Sequence, residues 1–238
     1  MLRFAVLFAV LLITTPASAQ LDQIMKGLGG LGIGQPAQLS DVKIGSGLKE
    51  ALKIGTENAV GFTGKLDGYL LNEAIKILMP GQLATVEKGL RTVGYGPQVD
   101  EFVLSMNRAA EKAAPAAKEI FWGAIKEMSF DDARKILSGS ETAATDYFKE
   151  KTTGKLTEAF LPVVKKSTDE VGVTRQYNAL LGRAQSLPFV KVPSFDLNQY
   201  VVGKALDGLV LMIGAEERKI RKDPAARVTT LLKEVFAK

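Results

Sequence analysis

DLNQYVVGKALDGLVLMIGAEERKIRK, residues 196–222, is the stretch on which the fold turns. Between Ala205 and Ala215 the only charged residue is Asp207, while Leu206, Leu209, Val210, Leu211, Met212 and Ile213 occupy every side of a helix. A helix that is apolar all round belongs in the middle of a fold. The stretch therefore predicts a central helix surrounded by other helices. Asp207 would then need a partner, because an isolated buried carboxylate costs several kcal/mol or takes up a proton. Lys204, three residues earlier, offers the local partner; Arg108 and Arg175 offer distant ones. Such a group either fixes helix register as an ion pair or forms the polar floor of a ligand pocket. The same helix ends in Arg218, Lys219, Arg221 and Lys222, with Arg227 close behind. Bases in the last turns suit the helix dipole and a solvated helix end. Contact with anionic phospholipid is the functional alternative for these five.

Working outward, the helical period persists. In residues 173–187, Val173, Tyr177, Leu180, Leu181, Ala184 and Leu187 share one face, and Arg175, Gln176, Asn178 and Arg183 face away. Pro97 suits a first helical turn, and Val99, Phe102, Val103, Met106, Ala110 and Ala113 form a second stripe, ended or kinked near Pro115. A helix resumes over residues 120–128. Ser129 is an N-cap for residues 130–137, with Asp131 and Asp132 in the first turn and Gly139 as the stop. Further helices are expected over residues 141–151 and 155–171. Asp223-Pro224 should open a last helix whose apolar face is Val228, Leu231, Leu232, Val235 and Phe236. Phe189 to Val192, between Pro188 and Pro193, reads as an extended connector. No strand signal competes, so the expectation is one all-α domain of roughly eight to ten helices with no sheet.

The N-terminus is of another kind. Arg3 precedes an apolar run from Phe4 to Ile13, then Thr14, Thr15, Pro16 and Ala17-Ser18-Ala19 before Gln20. This is the layout of a secretory signal peptide, residues 1–19, cleaved after Ala19. Residues 20–38 carry Gly27, Gly29, Gly30, Gly32 and Gly34, the composition of a flexible linker. Gly27, Gly29 and Gly32 match G-x-G-x-x-G, but no strand fits ahead of them, so the dinucleotide reading lacks its context. The domain is expected over residues 39–238. No later segment looks able to span a membrane; Gly203 to Ala215 comes closest and is short and charged. The expected location is periplasmic or secreted.

Composition removes much chemistry. The chain of 238 residues has 31 Lys and Arg against 26 Asp and Glu, and neither His nor Cys. Ser-His-Asp triads, thiol nucleophiles, disulfides and zinc sites with nitrogen or sulfur ligands are therefore excluded. No calcium loop is present, so no metal or other cofactor is expected. The small positive excess, with export, argues against nucleic acid.

Five ordered segments then become recognisable: Ser105-Met106-Asn107-Arg108-Ala109-Ala110-Glu111, Thr142 to Phe148, Gly172 to Asn178, Lys204 to Leu209, and Asp223 to Arg227. Together they resemble a bacterial domain-of-unknown-function family, the one numbered four-one-nine-seven, over about Leu39 to Phe236. The resemblance implies an exported, single-domain cell-envelope protein with no established activity. Many members look like lipoproteins; here Gln20 stands where the lipidated Cys would be. The resemblance supplies no catalytic residue.

Polar side chains beside aromatics remain: Asn107 and Arg108, Asp146 and Tyr147, Arg175 and Tyr177, with Asp207. They could converge on a mostly apolar ligand pocket, or form a buried network tying helices together. The first functional reading is a non-catalytic envelope protein binding a lipid-like molecule or another envelope protein in a groove between helices, with at most peripheral membrane contact. The alternative is a carboxylate-dependent hydrolase of an envelope polymer, using Glu111, Glu141, Asp146 or Asp207. Glu111 reads as a surface partner of Arg108 at i+3.

Overall fold

A computed structural model describes residues 41–170, 173–185 and 195–236. The expected signal peptide (1–19), the expected linker (20–38) and the expected connector around Phe189 lie outside the described residues. The elements are α1 (Asp41–Thr63), α2 (Ala84–Thr92), α3 (Gly96–Ala113), α4 (Ala117–Glu127), α5 (Phe130–Ser138), α6 (Ala143–Glu170), α7 (Val173–Gln185), α8 (Leu197–Lys222) and α9 (Thr230–Val235). Among the described residues there is no strand, as the helical period predicts.

Local chemistry sets the helix ends. Pro97 stands in the first turn of α3, whose buried face is Val99, Phe102, Val103, Met106, Ala109, Ala110 and Ala113. At Pro115 the helix tightens into a 3-10 turn, Ala114–Ala116, before α4 begins. Ser129 caps α5 reciprocally: its hydroxyl oxygen accepts from the Asp132 N–H, and the Asp132 carboxylate accepts from the Ser129 N–H. The Ser129 hydroxyl, donating to Asp132 Oδ2 at 2.7 Å, and the Ser129 N–H hold the Asp132 carboxyl below its ordinary pKa.

Two expectations need correction. The helices expected over residues 141–151 and 155–171 are one, α6, which runs through Gly154 and contains Pro162. Its buried stripe is Phe148, Thr152, Leu156, Phe160 and Val164, in steps of four. Thr152 stands at the join, with its hydroxyl donating to the Phe148 carbonyl at 2.6 Å. The last helix does not begin at Pro224. Asp223 caps a 3-10 turn, Pro224–Ala226, and α9 starts at Thr230 behind its own N-cap, Thr229. Val228 is exposed as a result, while Leu232 and Val235 are buried.

Helix α8 is central, packed on α1, α3 and α6, but it is not apolar all round. Val201, Val202, Ala205, Leu206, Leu209, Ile213 and Ile220 are buried. Lys204, Asp207 and Leu211, at i, i+3 and i+7, share a solvent-facing strip. The Asp207 side chain is 73% exposed and 3.5 Å from Lys204 Nζ. The buried carboxylate expected there is therefore an ordinary surface pair.

Candidate functional site

Between α1 and the 3-10 turn Gly81–Leu83, residues 64–80 form a strap of successive turns with no regular element. Its backbone groups lie against helices and need partners. α3 supplies them. Asn107 is fully buried; its Oδ1 accepts from the Ile77 N–H at 2.8 Å and its Nδ2 donates to the Ile77 carbonyl at 2.8 Å. One amide thus pairs with both backbone groups of a strap residue. One turn on, buried Glu111 accepts from the N–H groups of Tyr69 at 3.1 Å and Leu70 at 3.2 Å. Its other oxygen receives Arg108 Nη1 at 2.6 Å, and Arg108 Nη2 donates to Asp67 Oδ1 at 2.7 Å. Asp67 holds φ +65°, a left-handed turn that aspartate tolerates better than most residues.

α8 grips the strap from the other side. Tyr69 is fully buried and its hydroxyl donates to the Ala205 carbonyl at 2.6 Å. Burial, with Glu111 beside it, pushes the phenol well above its ordinary pKa. The strap lies close because Gly208 has no side chain: a Cβ there would stand 2.7 Å from the Tyr69 ring and 3.0 Å from Ile75 Cβ. Tyr200 donates its hydroxyl to the Leu78 carbonyl at 3.0 Å. Held at these points, the strap turns apolar side chains outward: Leu66 and Leu71 are each 72% exposed, and Leu78 is exposed too. Leu78 faces exposed Leu211 of α8 across an open groove of about 470 Å³, rimmed by Lys76, Lys204 and Asp207.

A second buried polar centre joins helix ends. Glu217 of α8 accepts from the N–H groups of Ala144 at 3.0 Å and Thr145 at 2.9 Å, and from the Thr145 hydroxyl at 2.8 Å. It caps α6 from another helix, placing a carboxylate at the positive end of the dipole. Arg221 donates to Glu217 Oε1 and to the carbonyls of Ile136 and Leu137 at the end of α5. Arg227 is buried and donates to the carbonyls of Ile220 and Arg221, closing α8. Arg221 and Arg227 are therefore internal, which corrects the expectation of five bases for an anionic surface. Lys219 and Lys222 stay exposed, beside Glu216 and Glu141, and Arg218 is half-buried.

The seven residues expected at a polar site have separate surroundings. Asn107 and Arg108 hold the strap. Asp146 and Tyr147 line a shallow depression with Lys135 and Lys151, and Asp207 lines the strap groove. Arg175 is exposed on α7, and Tyr177 is buried with its ring stacked 5.8 Å from that of Phe102. Sequence reasoning missed Glu217, Tyr69 and the depth of Glu111. The Arg108–Glu111 pair exists, yet Glu111 is buried because the strap covers it.

An apolar, partly open cavity beside Glu217, between Leu48 and Phe148, has about 20 Å³, room for one water. Among the described residues no group of three or more carboxylates is placed to hold a metal ion. No described helix is long and apolar enough to cross a membrane. No curated protein and no solved structure matches the chain. The family model described as protein of unknown function (DUF4197) matches residues 38–237, nearly all of the chain beyond its N-terminal segment. With five ordered motifs inside that span, the chain belongs to the DUF4197 family.

Proposed function

We propose that this is a non-catalytic protein of the cell envelope, exported to the periplasm or secreted, that binds an envelope protein through the groove between the strap and α8. The observation that carries the reading is the strap itself. Irregular surface segments normally turn polar groups to solvent and are loosely held. This one is anchored by buried Asn107, Glu111 and Tyr69, yet presents Leu78 to the groove, which exposed Leu211 of α8 also lines. Apolar side chains fixed in advance lose little entropy on docking, which is what a binding surface requires. The groove suits a partner segment bearing one or two apolar side chains to meet Leu78 and Leu211, its lysines already standing beside Glu73 and Asp207.

A lipid tail is the weaker occupant, because the apolar cavity beside Glu217 holds about 20 Å³. The hydrolase reading is weaker still. Glu111 is buried under the strap, Glu141 pairs with Lys222, Asp207 pairs with Lys204, and Asp146 stands on an open surface. A photoreactive residue in place of Leu78 tests the proposal, with the same residue at exposed Lys155 as control. One defined protein adduct from position 78, none from 155, and its loss on Leu211→Asp are expected. Equal labelling from both positions, or a lipid retained in native mass spectrometry with no adduct, would overturn it.

A further inference from the structure

The face formed by α1 and α4 is graded in a way the strap groove does not use. On α1, Val42, Gly45, Lys49 and Lys53 follow one another at i, i+3, i+7 and i+11, so they share a side. On the neighbouring helices, Phe130 at the start of α5 and then Lys126, Trp122 and Lys118 of α4 run beside them in the opposite direction. The rungs are explicit. A Cβ at Gly45 would stand 3.2 Å from the Phe130 ring. Lys49 Nζ donates to the Lys126 carbonyl at 3.3 Å. The Lys53 ammonium sits 4.7 Å from the Trp122 ring centre, and that of Lys118 sits 4.5 Å from it. Glu57 lies 3.8 Å from Lys118 and closes the ladder.

One end is thus apolar and exposed, with Val42 at 63% and Phe130 at 56%. The middle is cationic, and Lys49, Lys53 and Lys126 have no carboxylate within ion-pair distance among the described residues. The chain's single tryptophan, half-buried and with its indole N–H inside, stands on the rung of Lys53, between it and Lys118. An exposed apolar tip followed by ammonium groups without carboxylate partners is the order in which a protein resting on a bilayer meets the acyl boundary and the phosphates. We propose that this face is a peripheral contact site for a bilayer with anionic headgroups. The apolar tip is two residues wide, so the contact is shallow and reversible. Asp131, next to Phe130 and only 3.9 Å from its partner Arg134, opposes it.

Trp122 reports the event directly, because no other indole contributes to the fluorescence. The full chain is titrated with vesicles of phosphatidylglycerol and phosphatidylethanolamine, with pure phosphatidylcholine vesicles, and with inorganic phosphate, and co-sedimentation is measured in parallel. A shift in Trp122 emission with co-sedimentation is expected only for the phosphatidylglycerol vesicles, reversed at roughly 0.5 M salt. Lys53→Ser should weaken the apparent affinity about fivefold. Phe130→Ser should weaken it at least as much, and Asp131→Asn should strengthen it. All three variants keep the helical circular dichroism of the parent. Equal binding to phosphatidylcholine, a response to phosphate alone, or affinity unmoved by Lys53→Ser and Phe130→Ser would overturn the proposal. Leu211→Asp leaves vesicle binding unchanged, so failure here and failure of the groove reading remain distinct.

Discussion

Asn107 and Tyr69 show what single side chains do in this fold. Replacing Asn107 with Leu keeps the volume but strands the N–H and carbonyl of Ile77, both paired only 2.8 Å from the amide. Each buried group left without a partner costs about 1–3 kcal/mol, so Asn107→Leu should lower stability in urea denaturation by about 2–6 kcal/mol. Tyr69 acts through pH. Its folded pKa is raised by burial and by Glu111, so the fold favours the neutral phenol. The stability this gives is complete below the unfolded tyrosine pKa of about 10 and falls as pH rises beyond it. Tyr147, Tyr177 and Tyr200, also raised by burial, slope the same way. Tyr69→Phe should be less stable than the parent at pH 7, where the bond to Ala205 is lost, and the gap should narrow between pH 10 and 11.5. A constant gap in denaturation midpoints would show that Tyr69 does not carry the alkaline loss. Asn107 is singled out by its sequence context, but its partner lies thirty positions away in a segment without period. Only the fold brings them together.

At the scale of elements, two glycines separate close approach from mere presence. Gly208→Ala would push a methyl group into the Tyr69 ring at 2.7 Å and Ile75 at 3.0 Å, lifting the strap from α8. A loss of about 1–3 kcal/mol is expected, the usual scale of overpacking. A Cβ at Gly154, inside α6, meets nothing within 4 Å. Gly154→Ala should raise stability by about 0.5–1 kcal/mol through helix propensity alone. Thermal melts of the two variants beside the parent check both signs. Gly154 also explains why the sequence pattern of α6 looks like two helices: glycine and a polar Thr152 interrupt a stripe that continues in register from Phe148 to Val164. The helical class, the Ser129 cap and the α3 stripe were legible because each rests on local spacing. The exposed strip of α8 follows the spacing of Lys204, Asp207 and Leu211, but a run of apolar letters hides it. The strap carries no periodic signal, and so the groove it forms could not be anticipated.

For the whole molecule the question is how a chain without a cysteine joins distant segments. Size helps, since a domain near 200 residues buries roughly 70% of its unfolded surface. Buried carboxylates add directed ties: Glu111 binds the strap to α3, and Glu217 binds the start of α6 to the end of α8. Through Arg221 the second tie also holds the end of α5. α6 packs on α3, α4 and α8, so loosening its first turn disturbs most of the core at once. Glu217→Ala leaves the Ala144 and Thr145 N–H groups and a largely buried guanidinium without their partner. Breaking a buried pair from one side costs about 3–5 kcal/mol. At about 2–4 °C per kcal/mol for a domain of this size, the melting temperature should fall by roughly 6–20 °C. The transition should stay single. Trp122 fluorescence, from α4, and far-ultraviolet circular dichroism, from every helix, should shift together with an unchanged denaturant slope. A fluorescence curve that kept the parent midpoint while the helical signal moved would mean that α6 unfolds apart from the core, and that Glu217 ties only its own neighbourhood.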